Sequence, residues 1–254
     1  RYRSREDVES LTAADMYEYW QNALKNSRVE VMMLGSSNPD MAQKIITERF
    51  SQLQRNVPEI KTEIIKDSTD VKSVTETSDI AQAKLVMGFR TASAEPEDDT
   101  VPMSLTVAIL GGTPSSKFFL NVREKLSLCY YCAARFDKLK GIVIVDSGVE
   151  KENIQRTIEE IKNQLADMQK GNITDFEISS AKLALVNNLK SSQDTLSGTE
   201  AWYIGQMLDS KLSTVDEVVN ALNSVTKETI VKLANTIKLD TIYLLQPNSS
   251  KEAE

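Results

Sequence analysis

Residues 109–119 read Ile109-Leu110-Gly111-Gly112-Thr113-Pro114-Ser115-Ser116-Lys117-Phe118-Phe119. They run on through Leu120 into Asn121-Val122-Arg123-Glu124-Lys125-Leu126-Ser127-Leu128-Cys129-Tyr130-Tyr131. The organisation of the chain follows from this stretch in both directions. The apolar run upstream predicts a helix over 101–110, broken by Gly111-Gly112. Ser115 and Ser116 are capping residues for the next helix, expected to bury Phe118, Phe119, Val122 and Leu126. Two strands follow, over 128–136 and 141–148.

Downstream, Ile154, Ile158, Ile161, Leu165 and Met168 recur at helical spacing, and Gly171 is the stop. Thr174 and Glu177 form a capping box, with Ile173 and Ile178 as its staple, for a helix to about residue 193. Further helices are expected around 196–209, 214–223 and from a Thr226 cap to Ile237, and a last strand over 241–245. Upstream, Thr12 caps a helix with Asp15 three residues on, and 29–34 read as a short buried strand. Asn38-Pro39 opens a helix to residue 54 that should bury Met41, Ile45, Ile46 and Phe50. Two strands are expected at 60–76 and 81–91, then an acidic loop over 93–99. Residues 11–35 and 225–247 share an order of capped helix, turn and strand.

Helices and strands mix without strict alternation. That points to an α+β fold, with an antiparallel or mixed sheet covered by helices on one face. No linker composition interrupts residues 11–247, which read as a single domain between a charged leader or linker, 1–10, and a flexible polar tail, 248–254. Because it begins at Arg1 without Met, the sequence is expected to be a piece of a longer protein.

Composition excludes more than it suggests. The 254 residues contain no histidine. A His general acid/base, a Ser-His-Asp or Cys-His set, and a His-based zinc site are therefore unavailable to this chain. A net charge of −7 argues against nucleic acid and against an anionic membrane surface as partners. No apolar run approaches the roughly 20 residues of a membrane-spanning helix. Two cysteines make no disulfide framework, so a cytoplasmic location is expected.

Three motifs have plain explanations. The segment from Gly111 to Lys117 looks like a phosphate loop, but Ser116 precedes Lys117 and Phe118 follows it, so a helix–helix corner is the better reading. Cys129-Tyr130-Tyr131-Cys132 is a C-x-x-C in an expected strand, where residues three apart point to opposite faces and two packed thiols are expected. The acids Glu95, Glu97, Asp98 and Asp99, with Glu152, Glu159 and Glu160, read as solvated faces and loops.

The stretch from Ile109 to Tyr131 also resembles, position by position, the LGG-x-x-SS-x-LF-x-x-x-REK-x-GLAY segment of the pitrilysin family of zinc peptidases, which includes insulinase and the mitochondrial processing peptidase. Tyr130-Tyr131 and Lys140-Gly141 are most similar to paired peptidase-like proteins of Gram-positive bacteria. The resemblance covers about 10–246, including Gln82 to Phe89 against the family's Q-A-x-L-x-x-G-F strand. Ser127 stands where the family usually has Gly, and Cys129 where it usually has Ala.

The resemblance implies a metallohydrolase-like lobe, the second and metal-free half of a clamshell. Zinc is then expected in an N-terminal half or a homologous partner subunit, with no cofactor bound here and no catalytic residue in this chain. By motif match, Arg123 and Tyr130 would reach into the chamber to bind an unfolded peptide and support its transition state, the guanidinium fork and phenol serving as donors to a carbonyl or developing oxyanion. Gly111 and Gly112 resemble a glycine-rich substrate-contact loop, shortened here. The alternative function is a lobe of an inactive peptidase-like scaffold or assembly protein. A free-standing Cys or carboxylate enzyme lacks the general base it would need.

Overall fold

The computed structural model describes residues 4–61, 63–68, 70–96 and 99–248. Glu97 and Asp98 of the acidic loop, and 249–254 of the expected tail, lie outside the described residues. Two compact units divide after Lys61.

The first unit holds three helices. The charged opening, expected as a leader, includes α1 (Arg5–Glu9), closed by a capping box between Ser4 and Asp7. Thr12 and Asp15 make the expected box on α2 (Ala13–Asn26), and Asn38 with Pro39 starts α3 (Pro39–Ser51). Two expectations fail here. Residues 29–34 pair with no ladder and are not a strand, because an extended apolar run becomes a strand only when a neighbour accepts its backbone bonds. The echo between 11–35 and 225–247 therefore ends at its helices. On α3, Ile46 and Phe50 are half-buried, but Met41 and Ile45 are exposed.

The second unit is built on a five-stranded mixed sheet in the order β1-β5-β2-β4-β3: β1 (Lys72–Ser78), β2 (Ala83–Arg90), β3 (Cys129–Asp137), β4 (Ile142–Val149) and β5 (Lys238–Pro247). All neighbours are antiparallel except β1 and β5, which are parallel. The last strand thus inserts between the first two, and residues 79–82 bridge two strand spacings, about 10 Å. On β2, Ala83, Leu85, Met87 and Phe89 are buried while alternate residues are half-exposed, which is the signature of one covered face.

The helices are α4 (Thr100–Val107), α5 (Ile154–Gln169), α6 (Asp175–Ser191), α7 (Leu196–Ile204), α8 (Val215–Ser224) and α9 (Lys227–Ala234). Met103, Leu105, Ile109, Phe118, Ile161, Met168, Leu222 and Ile230 join the buried sheet residues in one core. The α+β expectation, with a helix-covered mixed sheet, holds.

The central stretch departs from expectation. The helix runs through Gly111 and ends at Gly112, two residues later than expected. It widens into a π-helical turn, Ala108–Gly112, and a second wide-turn helix follows, Phe118–Lys125. Phe118 and Val122 are buried as expected, whereas Phe119 is half-buried and Leu126 exposed. A π-turn advances fewer degrees per residue than an α-turn, so the apolar stripe drifts off the 3.6-residue spacing.

Candidate functional site

Arg123 and Tyr130 sit on either side of a tight corner. The wide-turn helix ends with Leu126 N–H donating to the Asn121 carbonyl, 3.2 Å, and Leu128 N–H to the Val122 carbonyl, 3.1 Å. Ser127 turns the chain with φ +50, the left-handed conformation that glycine adopts at least cost.

Strand β3 then opens with a bulge. Cys129 lies opposite Val149 and Tyr131 opposite Gly148, so Tyr130 is the extra residue. Freed from the ladder, Tyr130 is exposed, and its hydroxyl donates to Glu150 Oε1 at 2.6 Å. That bond, with the Glu150 charge, pushes the phenol above its usual range and keeps it protonated.

Arg123 and Tyr130 line one concavity of about 440 Å³, with Glu124, Ser127, Cys129 and Glu150. The Arg123 guanidinium stacks 4.7 Å from the Phe119 ring centroid, and its Nε is 3.6 Å from Glu124 Oε1. The two residues taken from the motif are thus brought together. The hollow offers a cation, a neutral phenol and two carboxylates, a set able to hold polar main-chain groups of an extended segment.

The other motif residues are placed elsewhere. Gly111 is buried beneath β3, where an added Cβ would lie 2.4 Å from Phe118 Cδ2 and 2.8 Å from the Ala134 nitrogen. Gly112 is exposed, and a Cβ added there would meet nothing nearer than 3.5 Å. Both belong to a helical turn, and the pair forms no free loop. Lys117 is engaged in a buried ion pair: its Nζ lies 2.9 Å from Glu177 Oε1, with the two side chains 7% and 11% exposed. Glu177 also accepts from the Thr174 backbone and hydroxyl at 2.7 and 2.9 Å. Burial pushes this carboxyl up, and the Thr174 and Lys117 interactions outweigh it, so the net shift is downward.

The C-x-x-C geometry corrects the sequence expectation. The bulge shifts strand parity, so Cys129 faces Val149 while Cys132 faces Ser147, two residues apart on β4 and hence on one face. Neither thiol is in a disulfide. A bulge is decided by the partner strand, which is why spacing alone missed it.

The chain has no His to serve as a zinc ligand, and among the described residues no group of three or more Cys, Asp or Glu converges where a metal could be held.

Comparison with known proteins fits this picture. The chain is 29% identical over 241 residues to the "probable inactive metalloprotease YmfF" of Bacillus subtilis, covering 95% of this chain and 57% of that protein. It is 24% identical over 239 residues to the "uncharacterized zinc protease YmxG" of the same organism, covering 92% of this chain and 57% of that one. It spans little more than half the length of these relatives. Its fold is similar to a conserved protein of Enterococcus faecalis (TM-score 0.82, 24% identity, 97% of this chain and 58% of that one). It is also similar to a peptidase M16 inactive domain from Pseudomonas fluorescens (TM-score 0.77, 18% identity, 98% and 60%). Residues 10–185, more than half of the chain, match the family model described as the peptidase M16 inactive domain, and the chain belongs to that family, the metal-free half of the zinc peptidases that residues 109–131 resemble.

Proposed function

We propose that this chain completes the chamber of an M16-type peptidase and holds an extended peptide at Arg123 and Tyr130, for hydrolysis by a zinc-bearing half in the same polypeptide or in a partner subunit. The supporting observation is the convergence of Arg123 and Tyr130 on one concavity from opposite sides of the Ser127 corner. Arg123 supplies a planar fork of N–H donors for a peptide carbonyl. The Tyr130 phenol, kept protonated beside Glu150, adds an O–H donor once it leaves that carboxylate. Such donors matter most where charge develops on a carbonyl oxygen.

The test uses this chain together with its zinc-bearing half and an unfolded peptide. Arg123→Ala should lower turnover roughly 100-fold, and Tyr130→Phe roughly tenfold, with the melting curve unchanged. Unchanged turnover in both refutes the assignment. Metal analysis of this chain alone should find no stoichiometric zinc; a tight site would overturn the half-enzyme reading.

A second reading, a scaffold lobe without hydrolysis, is favoured by the name of the YmfF relative, a probable inactive metalloprotease. Peptide turnover by the assembled protein separates the two. We also place the protein in the cytoplasm, where two unbridged thiols suit a reducing compartment; secretion of the full-length protein would refute this.

A further inference from the structure

Beside the candidate peptide site lies a pair of sulfurs that peptide binding does not use. The bulge at Tyr130 sets Cys129 and Cys132 on one face of β3. Cys129 is half-exposed and lines the concavity, while Cys132 is buried behind it. The charged and titratable groups around the pair are Arg123 from the wide-turn helix, Asp146 on β4 and Tyr131 on β3, with the Ser147 hydroxyl between the strands. Interaction with the neighbouring Cys132, helped by Ser147 and the Arg123 charge and opposed by burial, brings Cys129 down to about 7. The same interaction and its own burial push Cys132 well above the ordinary thiol range. One sulfur is therefore half-exposed and partly ionised near neutrality, and the other is buried, protonated and on the same face of the strand.

We propose that Cys129 and Cys132 are a hydroperoxide-reactive dithiol, in which Cys129 attacks and Cys132 resolves. The Cys129 thiolate attacks one peroxide oxygen. The O–O bond breaks, and the other oxygen leaves with a proton as water or an alcohol, giving a Cys129 sulfenic acid. The Cys132 sulfur then attacks the Cys129 sulfur. The S–O bond breaks, and hydroxide leaves with the Cys132 proton as water. The two thiols lose two electrons, the peroxide gains them, and a Cys129–Cys132 disulfide remains. The proposal stands independently of the peptide-binding reading.

The full chain is treated with hydrogen peroxide and digested with trypsin. Lys125 and Arg135 release residues 126–135, which carry both cysteines of the protein. The expected result is loss of two hydrogens from that peptide, restored by dithiothreitol. In Cys132→Ser, dimedone should instead trap a sulfenic acid on Cys129. Iodoacetamide labelling of Cys129 should have a pH midpoint near 7 in the native chain. In Cys132→Ala the midpoint should move by a unit or more towards the ordinary value of about 8.5. Three results would overturn the proposal: a peptide that only gains oxygen, oxidation that begins at Cys132, or a native midpoint already in the ordinary range. The native-chain measurements decide the matter even if a variant fails to fold.

Discussion

The two adjacent glycines at 111 and 112 should respond oppositely to the same substitution. In Gly111→Ala the new methyl would lie 2.4 Å from Phe118 Cδ2, and 2.8 Å from both the Cβ and the backbone nitrogen of Ala134. Phe118 is fully buried and Ala134 is paired within β3, so neither can retreat without disturbing the core or the ladder. Overpacking of this kind costs about 1–3 kcal/mol, and contact with strand backbone places this case near the top of the range. The gain from reduced unfolded-state entropy is about 0.5–1 kcal/mol. A net loss of about 2 kcal/mol corresponds to a fall in Tm of about 4–8 °C for a chain of this size. In Gly112→Ala the nearest atoms are Ala108 Cβ and the Val107 carbonyl oxygen at 3.5 Å, an ordinary contact. That variant should gain about 0.5 kcal/mol and melt slightly higher. Thermal and urea melts of both, with Phe118→Leu added to Gly111→Ala, make the test. The added change should recover only part of the loss, since Ala134 stays where it is. If both single variants melt alike, the close packing of the wide turn against β3 is refuted.

Glu177→Gln leaves Lys117 buried and unpaired and should cost about 3 kcal/mol. The Glu177 carboxyl sits below its ordinary value in the fold, so its contribution is complete above pH 4.5 and is lost as pH falls through the lower folded value. Acid melts should therefore show the native chain approaching the variant's stability as pH falls below 4.5; a constant gap would refute the pairing. Ser127→Gly relieves a left-handed serine at φ +50 and should stabilise by about 0.5 kcal/mol, the conformational relief of about 1 kcal/mol being partly offset by glycine's greater unfolded freedom. Ser127→Val should destabilise; no difference between the two in urea melts would argue against the strained corner.

Sequence determined whatever depends on neighbours within one helical turn or one strand. Thr12 with Asp15, Asn38 before Pro39, Thr174 with Glu177 and Thr226 each cap the helix expected of them, because capping is a bond between residues two or three apart. The motif around Arg123 and Tyr130 disclosed the family, and the absence of histidine excluded a His-based zinc site in this chain. Tertiary structure decided what depends on a distant partner. Strand β5 sits between β1 and β2, and residues 29–34, although apolar, found no neighbour and formed no strand. Lys117 found its counter-charge on another helix, sixty residues away. The register against β4 raised the Tyr130 bulge, which freed the phenol to reach Glu150 at the rim of the concavity that Arg123 also lines, and turned two cysteines onto the same face. Periodicity cannot foresee an inserted residue, because a bulge belongs to the pairing of two strands and not to either strand alone.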